Sequence, residues 1–198
     1  VADRPEVSIG SADGPPDQQL YQVLGAVLLR DGRLAVANGG SEELRVYGTD
    51  GRHLDTWATE GEGPGEFQAL TWIGRLPGDS LAAWDPTARA LSVFGPDGAF
   101  VRESRVPLEG LFPRAAGVFG DGTVLLRDGW NTAAMFAGGT GSRRDSAVHL
   151  RVRPDGAVVD TLGHFPGEET FVLTRESGFR TQPVPFGRDA LLAVGDSL

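Results

Sequence analysis

Short apolar runs recur along the chain, and each is bounded by residues that favour turns. No window places apolar residues at i, i+3, i+4 and i+7, so amphipathic helices are not indicated. Several runs alternate apolar with polar positions, which is typical of half-buried strands. The first four predicted strands cover residues 23–29, 34–37, 44–47 and 53–57. We therefore predict an all-β fold.

This four-strand pattern repeats along the chain. Asp50-Gly51 and Asp97-Gly98 close equivalent turns roughly 47 residues apart, which suits one four-stranded unit. A third copy carries a longer middle segment, and a fourth begins with a turn at residues 188–189 and a strand at 190–194. We predict one partial domain over residues 1–198, with repeat units at residues 20–66, 67–111, 112–170 and, incompletely, 171–198.

Residues 61–67, Gly-Glu-Gly-Pro-Gly-Glu-Phe, link the first two copies, and we call them the connector. Pro64 and the glycines beside it exclude a helix here. A phosphate-binding loop is disfavoured because no Lys-Ser or Lys-Thr follows and because two glutamates would repel the phosphate. We expect a structural loop in which Phe67 is an apolar anchor.

These features together resemble the NHL-type repeats of bacterial six-bladed β-propellers. The resemblance rests on the Asp-Gly turns, on strands that end in Asn or Asp, on the strands Leu-Arg-Val-Tyr and Leu-Ser-Val-Phe, and on the connector; it covers residues 24–198. It implies a propeller of four-stranded antiparallel blades. Six blades would need roughly 270 residues, so we expect an incomplete, open ring in which residues 6–10 form an outer strand.

Composition narrows the classes of partner. The formal net charge is -9 and all 18 basic side chains other than histidine are arginine, without a basic block. Such a chain is not expected to bind nucleic acid or an anionic membrane surface. No apolar run approaches the ~20 residues that span a bilayer, and the absence of cysteine excludes disulfides and thiolate sites.

Four polar residues occupy one position of the repeat, where the returning strand ends. One hypothesis is that their side chains bind the backbone of the following turn, as Asn and Asp often do. The other is a ring of oxygen ligands around the propeller axis, which would suit calcium. The residues are Asn38, Asp85, Asp128 and Asp196.

The long segment of the third copy, residues 128–145, is a candidate binding loop. Long loops on a rigid scaffold often carry function, and aromatic side chains with arginines suit a recognition surface. The alternative is a tolerated insertion. The candidate residues are Trp130, Asn131, Met135, Phe136, Arg143 and Arg144.

Two functional hypotheses remain open. We favour a binding or scaffold propeller that is not an enzyme, whose ligand is a protein, peptide or glycan and which needs no cofactor. The alternative is an enzyme of the lactonase or lyase type with calcium at the axis, because similar folds host such enzymes. The family resemblance alone implies a periplasmic, secreted or envelope-associated location. The three histidines do not share a repeat position, so a zinc site is not indicated.

Overall fold

The structure, a computed structural model, describes residues 7–129, 139–175, 178–188 and 192–195. The chain divides into two compact units, Val1–Arg105 and Val106–Leu198. Within the described residues the only helical segments are two 3-10 turns, Pro16–Gln18 and Pro77–Asp79, and every other element is a strand. The all-β prediction is confirmed.

The first unit contains two four-stranded antiparallel sheets, each with its strands in sequence order. Both stop short of the connector, since the first sheet ends at Ala58 and the second begins at Trp72. The first sheet is β1 (Val23–Leu28), β2 (Leu34–Asn38), β3 (Glu43–Tyr47) and β4 (His53–Ala58). The second is β5 (Trp72–Arg75), β6 (Leu81–Asp85), β7 (Ala90–Phe94) and β8 (Phe100–Arg105).

One apolar cluster lies between these two sheets. The inner strands β2, β3 and β6 each contribute two side chains from alternate positions, because a strand directs every second side chain to the same face. Phe67, 1% exposed, joins the cluster as the expected anchor of the connector. The buried members are Leu29, Ala35, Ala37, Leu44, Val46, Ala58, Phe67, Leu70, Ile73, Leu81, Ala83 and Phe94.

The Asp-Gly turns share one hydrogen-bonding scheme. In the first, the Gly32 amide donates to the Leu29 carbonyl at 3.1 Å, and the Leu29 amide donates to the Arg33 carbonyl at 2.8 Å. Only the glycine has positive φ, at 88° for Gly32, so the loop is a type I turn with a glycine bulge. The Asp31 carboxylate accepts the Arg33 amide at 3.0 Å. The aspartate therefore acts as a side-chain acceptor and does not itself adopt positive φ.

The N-terminal segment crosses the other face of the first sheet. The Arg45 guanidinium donates to the carbonyls of residues 16 and 19 at 3.0 and 2.9 Å, and the Tyr47 hydroxyl donates to that of residue 17 at 2.8 Å. Tyr47 is fully buried as a result. The strand expected at residues 6–10 is wrong for residues 7–10, which form no strand. Residue 6 lies outside the described part of the chain.

The second unit contains a four-stranded sheet and a three-stranded sheet. The four-stranded sheet comprises β9 (Arg114–Val118), β10 (Val124–Arg127), β12 (Ser146–Val152) and β13 (Val158–Pro166) in the order β13-β12-β10-β9. The three-stranded sheet comprises β11 (Gly141–Arg143), β14 (Thr170–Arg175) and β15 (Gly178–Pro183) in the order β11-β14-β15. None of the four sheets closes on itself in the described part of the chain.

Two expectations for the second unit need correction. We predicted that residues 128–145 form a loop, but residues 141–143 form strand β11, which pairs with β14. We also predicted a returning strand at residues 190–194, but residues 192–195 form no strand, while 189–191 lie outside the described residues. Backbone pairing with the later strand β14 decides the case of β11, and the local apolar pattern does not report such pairing.

Candidate functional site

The three strand-end residues that the structure describes use their side chains in similar ways. Asn38 ends β2 and is 1% exposed. Its Oδ1 accepts the Tyr21 amide at 2.7 Å, and its Nδ2 donates to the Ser41 hydroxyl at 2.6 Å. That hydroxyl in turn donates to the Glu43 carboxylate at 2.7 Å. Asn38 therefore fastens both the segment before β1 and the turn after β2.

Asp85 ends β6 and is 3% exposed. Its Oδ1 accepts the amides of Thr87 and Ala88 at 2.7 and 2.9 Å. Its Oδ2 accepts those of Gln68 and Ala69 at 2.8 and 3.0 Å. Four backbone donors therefore surround one buried carboxylate, and hydrogen bonds to a carboxylate are stronger than those between neutral groups.

Asp128 follows β10 in the second unit and has the same type of partner. Its Oδ1 accepts the Gly110 amide at 3.0 Å and the Gly129 amide at 2.8 Å. Asn38, Asp85 and Asp128 thus each bind the lead-in segment, which we define as the residues just before the first strand of the same sheet. The local pattern does not predict this contact, although the partner lies 16 to 18 positions upstream in every case.

The metal hypothesis for these positions stays a prediction. Asp196 lies outside the described residues. Among the residues that the structure does describe, no group of three or more His, Cys, Asp or Glu side chains is arranged to hold a metal ion.

A groove lies beside Asp85 in the first unit, with a volume of about 340 Å³. This is within the roughly 300–1,000 Å³ typical of small-ligand sites. Its walls are the connector, the loop after β6 and the end of β8. Four carboxylates and two guanidiniums line it, but no aromatic side chain does. The lining residues are Gly61, Glu62, Gly63, Glu66, Gln68, Asp85, Thr87, Ala88, Arg89, Glu103 and Arg105.

The connector wall of this groove is fixed by its own hydrogen bonds. The Glu66 carboxylate turns back and accepts the Gly63 amide at 2.8 Å, while the Glu66 amide donates to the Gly63 carbonyl at 3.0 Å. A Cβ at position 61 would lie 2.0 Å from the Glu66 carboxylate. Glycine at position 61 therefore lets the carboxylate fold back and exposes bare backbone to the groove.

Glu42 connects the first sheet to the lead-in segment of the second. Its carboxylate accepts the Leu70 amide. Burial raises the pKa of Glu42, the bond from Leu70 opposes that rise, and the nearby Asp85 and Glu60 carboxylates add to it. Asp85 and Glu60 therefore lie close enough to Glu42 for their carboxylates to repel that of Glu42.

A second groove, of about 280 Å³, occupies the equivalent place in the second unit. It again lies between a lead-in segment, the end of a returning strand and the outermost strand. His164 on β13 and the acidic Glu109 and Asp128 share this groove. Its lining residues are Glu109, Gly110, Asp128, Gly129, Ser146, Val148 and His164.

His149 is a buried polar residue of the second unit, 2% exposed. Its Nδ1 lies 3.1 Å from the Ala147 carbonyl, and its ring meets that of Phe165 edge to face. Nε2 has no hydrogen-bond partner. Burial lowers the pKa of His149, the bond to Ala147 opposes this, and the neighbouring Arg127 lowers it further. The buried site therefore favours the neutral imidazole over the charged form.

The candidate binding loop is described only at its end. Trp130, Asn131, Met135 and Phe136 lie outside the described residues. Arg143 lies in β11, with its Nε 3.4 Å from the Asp145 carboxylate, and the Nε of Arg144 donates to the Gly167 carbonyl at 2.7 Å. Both arginines thus hold local structure, and their role in recognition stays a prediction.

Comparison with solved structures identifies similar folds. A candidate exported protein of Bacteroides fragilis is 16% identical over 89% of this chain, with a TM-score of 0.55. The virginiamycin B lyase of Staphylococcus aureus is 13% identical over 87% of this chain, and a streptogramin B lyase is 11% identical over 87%, each with a TM-score of 0.50. The chain has a β-propeller-like fold. At these identities the likeness extends to the fold alone.

The chain spans a little over half the length of these structures, at 53%, 58% and 57% of the three chains. No protein-family model and no curated protein matches the sequence. Within the described residues, no helix is long and apolar enough to cross a membrane.

Proposed function

We propose that this chain is a partial domain of a six-bladed β-propeller with NHL-type repeats, which acts as a binding or scaffold protein and not as an enzyme. Its blades cover residues 20–66, 67–111, 112–170 and the start of a fourth at 171–198. Its ligand is a peptide, glycan or partner protein. Its location is the bacterial envelope, periplasm or secreted space. Similarity to a candidate exported protein and the NHL-like repeats support this location.

The observation that carries this proposal is the state of the Asp85 carboxylate. A carboxylate that accepts four backbone amides is committed to holding two loops together. If the carboxylate left these hydrogen bonds to bind a cation or to accept a proton from a substrate, the amides would be unpaired. Each buried unpaired group costs about 1–3 kcal/mol. The groove beside it stays open and polar, as a recognition surface requires.

A thermal-melting experiment tests this proposal against the calcium-dependent alternative. A ligand that binds only the folded state raises the melting temperature by mass action. We expect peptides or glycans that bind the protein to raise its melting temperature. We expect no rise with calcium that a chelator reverses. A calcium-dependent rise that a chelator abolishes, and that Asp85→Asn and Asp128→Asn remove, would contradict the proposal.

One observation favours a lactonase or lyase as the second candidate. His164, Glu109 and Asp128 line the same groove, and imidazole and carboxylate are the usual groups for general acid–base catalysis. Assays of lactone opening and of eliminative ring opening would test it, with His164→Ala as the variant. Turnover by the wild type that falls at least about a hundredfold in this variant would favour the enzyme, because a positioned acid or base contributes roughly 10²-fold or more.

A further inference from the structure

Strand β8 forms the outer wall of the groove beside Asp85 and is an edge strand of its sheet. It pairs with β7 on one side only, so alternate residues direct their backbone amide and carbonyl groups away from the sheet. An edge of this kind can accept an extended peptide as an additional strand.

The side chains of Glu103 and Arg105, which have opposite charges, lie on the same face of strand β8. Glu103 and Arg105 both line the groove, and their pairing with Ser92 and Ala90 is regular. Two positions along a strand correspond to about 6.6 Å. The Glu103 carboxylate accepts only a long bond, 3.4 Å, from the Ser92 hydroxyl. The Arg105 side chain is exposed, and within the part of the chain that the structure describes it makes no hydrogen bond or ion pair.

The other walls favour the same class of ligand. The connector is fixed by internal hydrogen bonds, so little conformational freedom is lost on binding. The lining contains no aromatic platform on which a sugar ring could stack. Charged groups of both signs instead suit a peptide with complementary charges, because cross-strand pairs of opposite charge attract and like pairs repel.

We propose that the β8 edge and the groove beside it bind an extended peptide segment that carries an acidic and a basic residue two positions apart. In an antiparallel pairing, which is the more stable arrangement, the acidic residue lies opposite Arg105 and the basic residue follows it opposite Glu103. The order in the peptide is therefore acidic-x-basic. This inference rests on the proposed binding function and specifies the partner of that site.

Fluorescence anisotropy with short labelled peptides tests the inference. The probe carries Asp-Thr-Lys in a neutral, valine- and threonine-rich sequence. The control peptide has the same composition with Asp and Lys adjacent, which places the two charges on opposite faces of a strand. We expect wild type to bind the probe about tenfold more tightly than the control peptide, a difference of roughly 1.4 kcal/mol.

Matched variants locate the contact. Arg105→Glu should weaken probe binding about tenfold, and the double variant Glu103→Arg/Arg105→Glu should instead prefer Lys-Thr-Asp. Arg102→Glu changes an exposed arginine on the opposite face of β8 and should stay within about twofold of wild type. Unchanged melting temperatures would show that the variants fold.

Equal affinity of wild type and Arg105→Glu for the probe, or no preference for the probe over its control, would overturn the inference. If other peptides or glycans still bind the wild type, only the inference fails and the binding function remains. Enzymatic turnover without binding of any peptide or glycan would overturn both.

Discussion

Replacing Asp85 with asparagine tests the reasoning about strand ends most directly. The side chain keeps its size and one acceptor oxygen, but the second oxygen becomes an amide that donates. Each Asp85 oxygen now accepts two backbone amides, so one of those pairs would face a donor in either orientation of the new amide. Asparagine therefore cannot replace aspartate here without a loss of hydrogen bonds.

The expected loss follows from these contacts. A hydrogen bond to a charged group contributes about 1.5–3 kcal/mol, and two of the four are lost in a buried site. Relaxation of the loops reduces the sum, so we expect unfolding to become easier by about 3 kcal/mol. Urea denaturation followed by tryptophan fluorescence measures this change, because Trp84 is fully buried next to Asp85 in the same strand. Added calcium should not restore the midpoint.

Two control variants sharpen this test. Asp97→Asn changes an exposed turn aspartate that accepts a single amide at 3.2 Å, and it should stay within about 0.5 kcal/mol of wild type. Asn38→Asp reverses the exchange and places a carboxylate oxygen where an amide now donates to Ser41, so it should destabilise the protein by about 1 kcal/mol. An Asp85→Asn protein within about 1 kcal/mol of wild type would refute the structural role of this carboxylate.

Two further predictions concern packing and pH. Gly98→Ala should destabilise more than Gly78→Ala by about 1–3 kcal/mol in urea denaturation, because both have positive φ (87° and 80°) but only the new methyl group at position 98 meets the Trp57 indole, at 2.2 Å; equal losses would contradict it. Because burial lowers the pKa of His149 below its ordinary 6.5, the unfolded chain binds the proton more readily, so stability is lost as pH falls below 6.5. Midpoints measured from pH 8 to pH 5 should show this loss in wild type and in His53→Gln but not in His149→Leu.

The repeated turns were the part of the fold that local sequence determines best. Five Asp-Gly pairs form the same loop, because glycine reaches positive φ without strain and the preceding carboxylate accepts the amide two residues later. Such a turn needs no distant partner, so its residues alone specify it. The glycines are Gly32, Gly51, Gly98, Gly122 and Gly156, with φ of 88°, 80°, 87°, 83° and 84°.

The features that the sequence did not predict all depend on distant partners. Strand β11 exists because residues 141–143 meet β14, and three short residues, Gly-Ser-Arg, have little strand preference of their own. The lead-in contacts of Asn38 and Asp85 each join residues that are 17 positions apart in the sequence. A local turn hypothesis found half of their partners and missed the other half.

The strand-end position shows how one repeat site can carry different residues with one structural task. In the first sheet the turn supplies a hydroxyl that accepts, so an amide that both accepts and donates fits Asn38. In the second sheet both loops supply only backbone donors, so Asp85 must accept at both oxygens. The repeated acidic or amide character therefore follows from the demand for hydrogen-bond acceptors near each lead-in segment, and it does not require a shared ligand. The charges that we propose for peptide recognition, Glu103 and Arg105 on β8, take no part in these strand-end contacts.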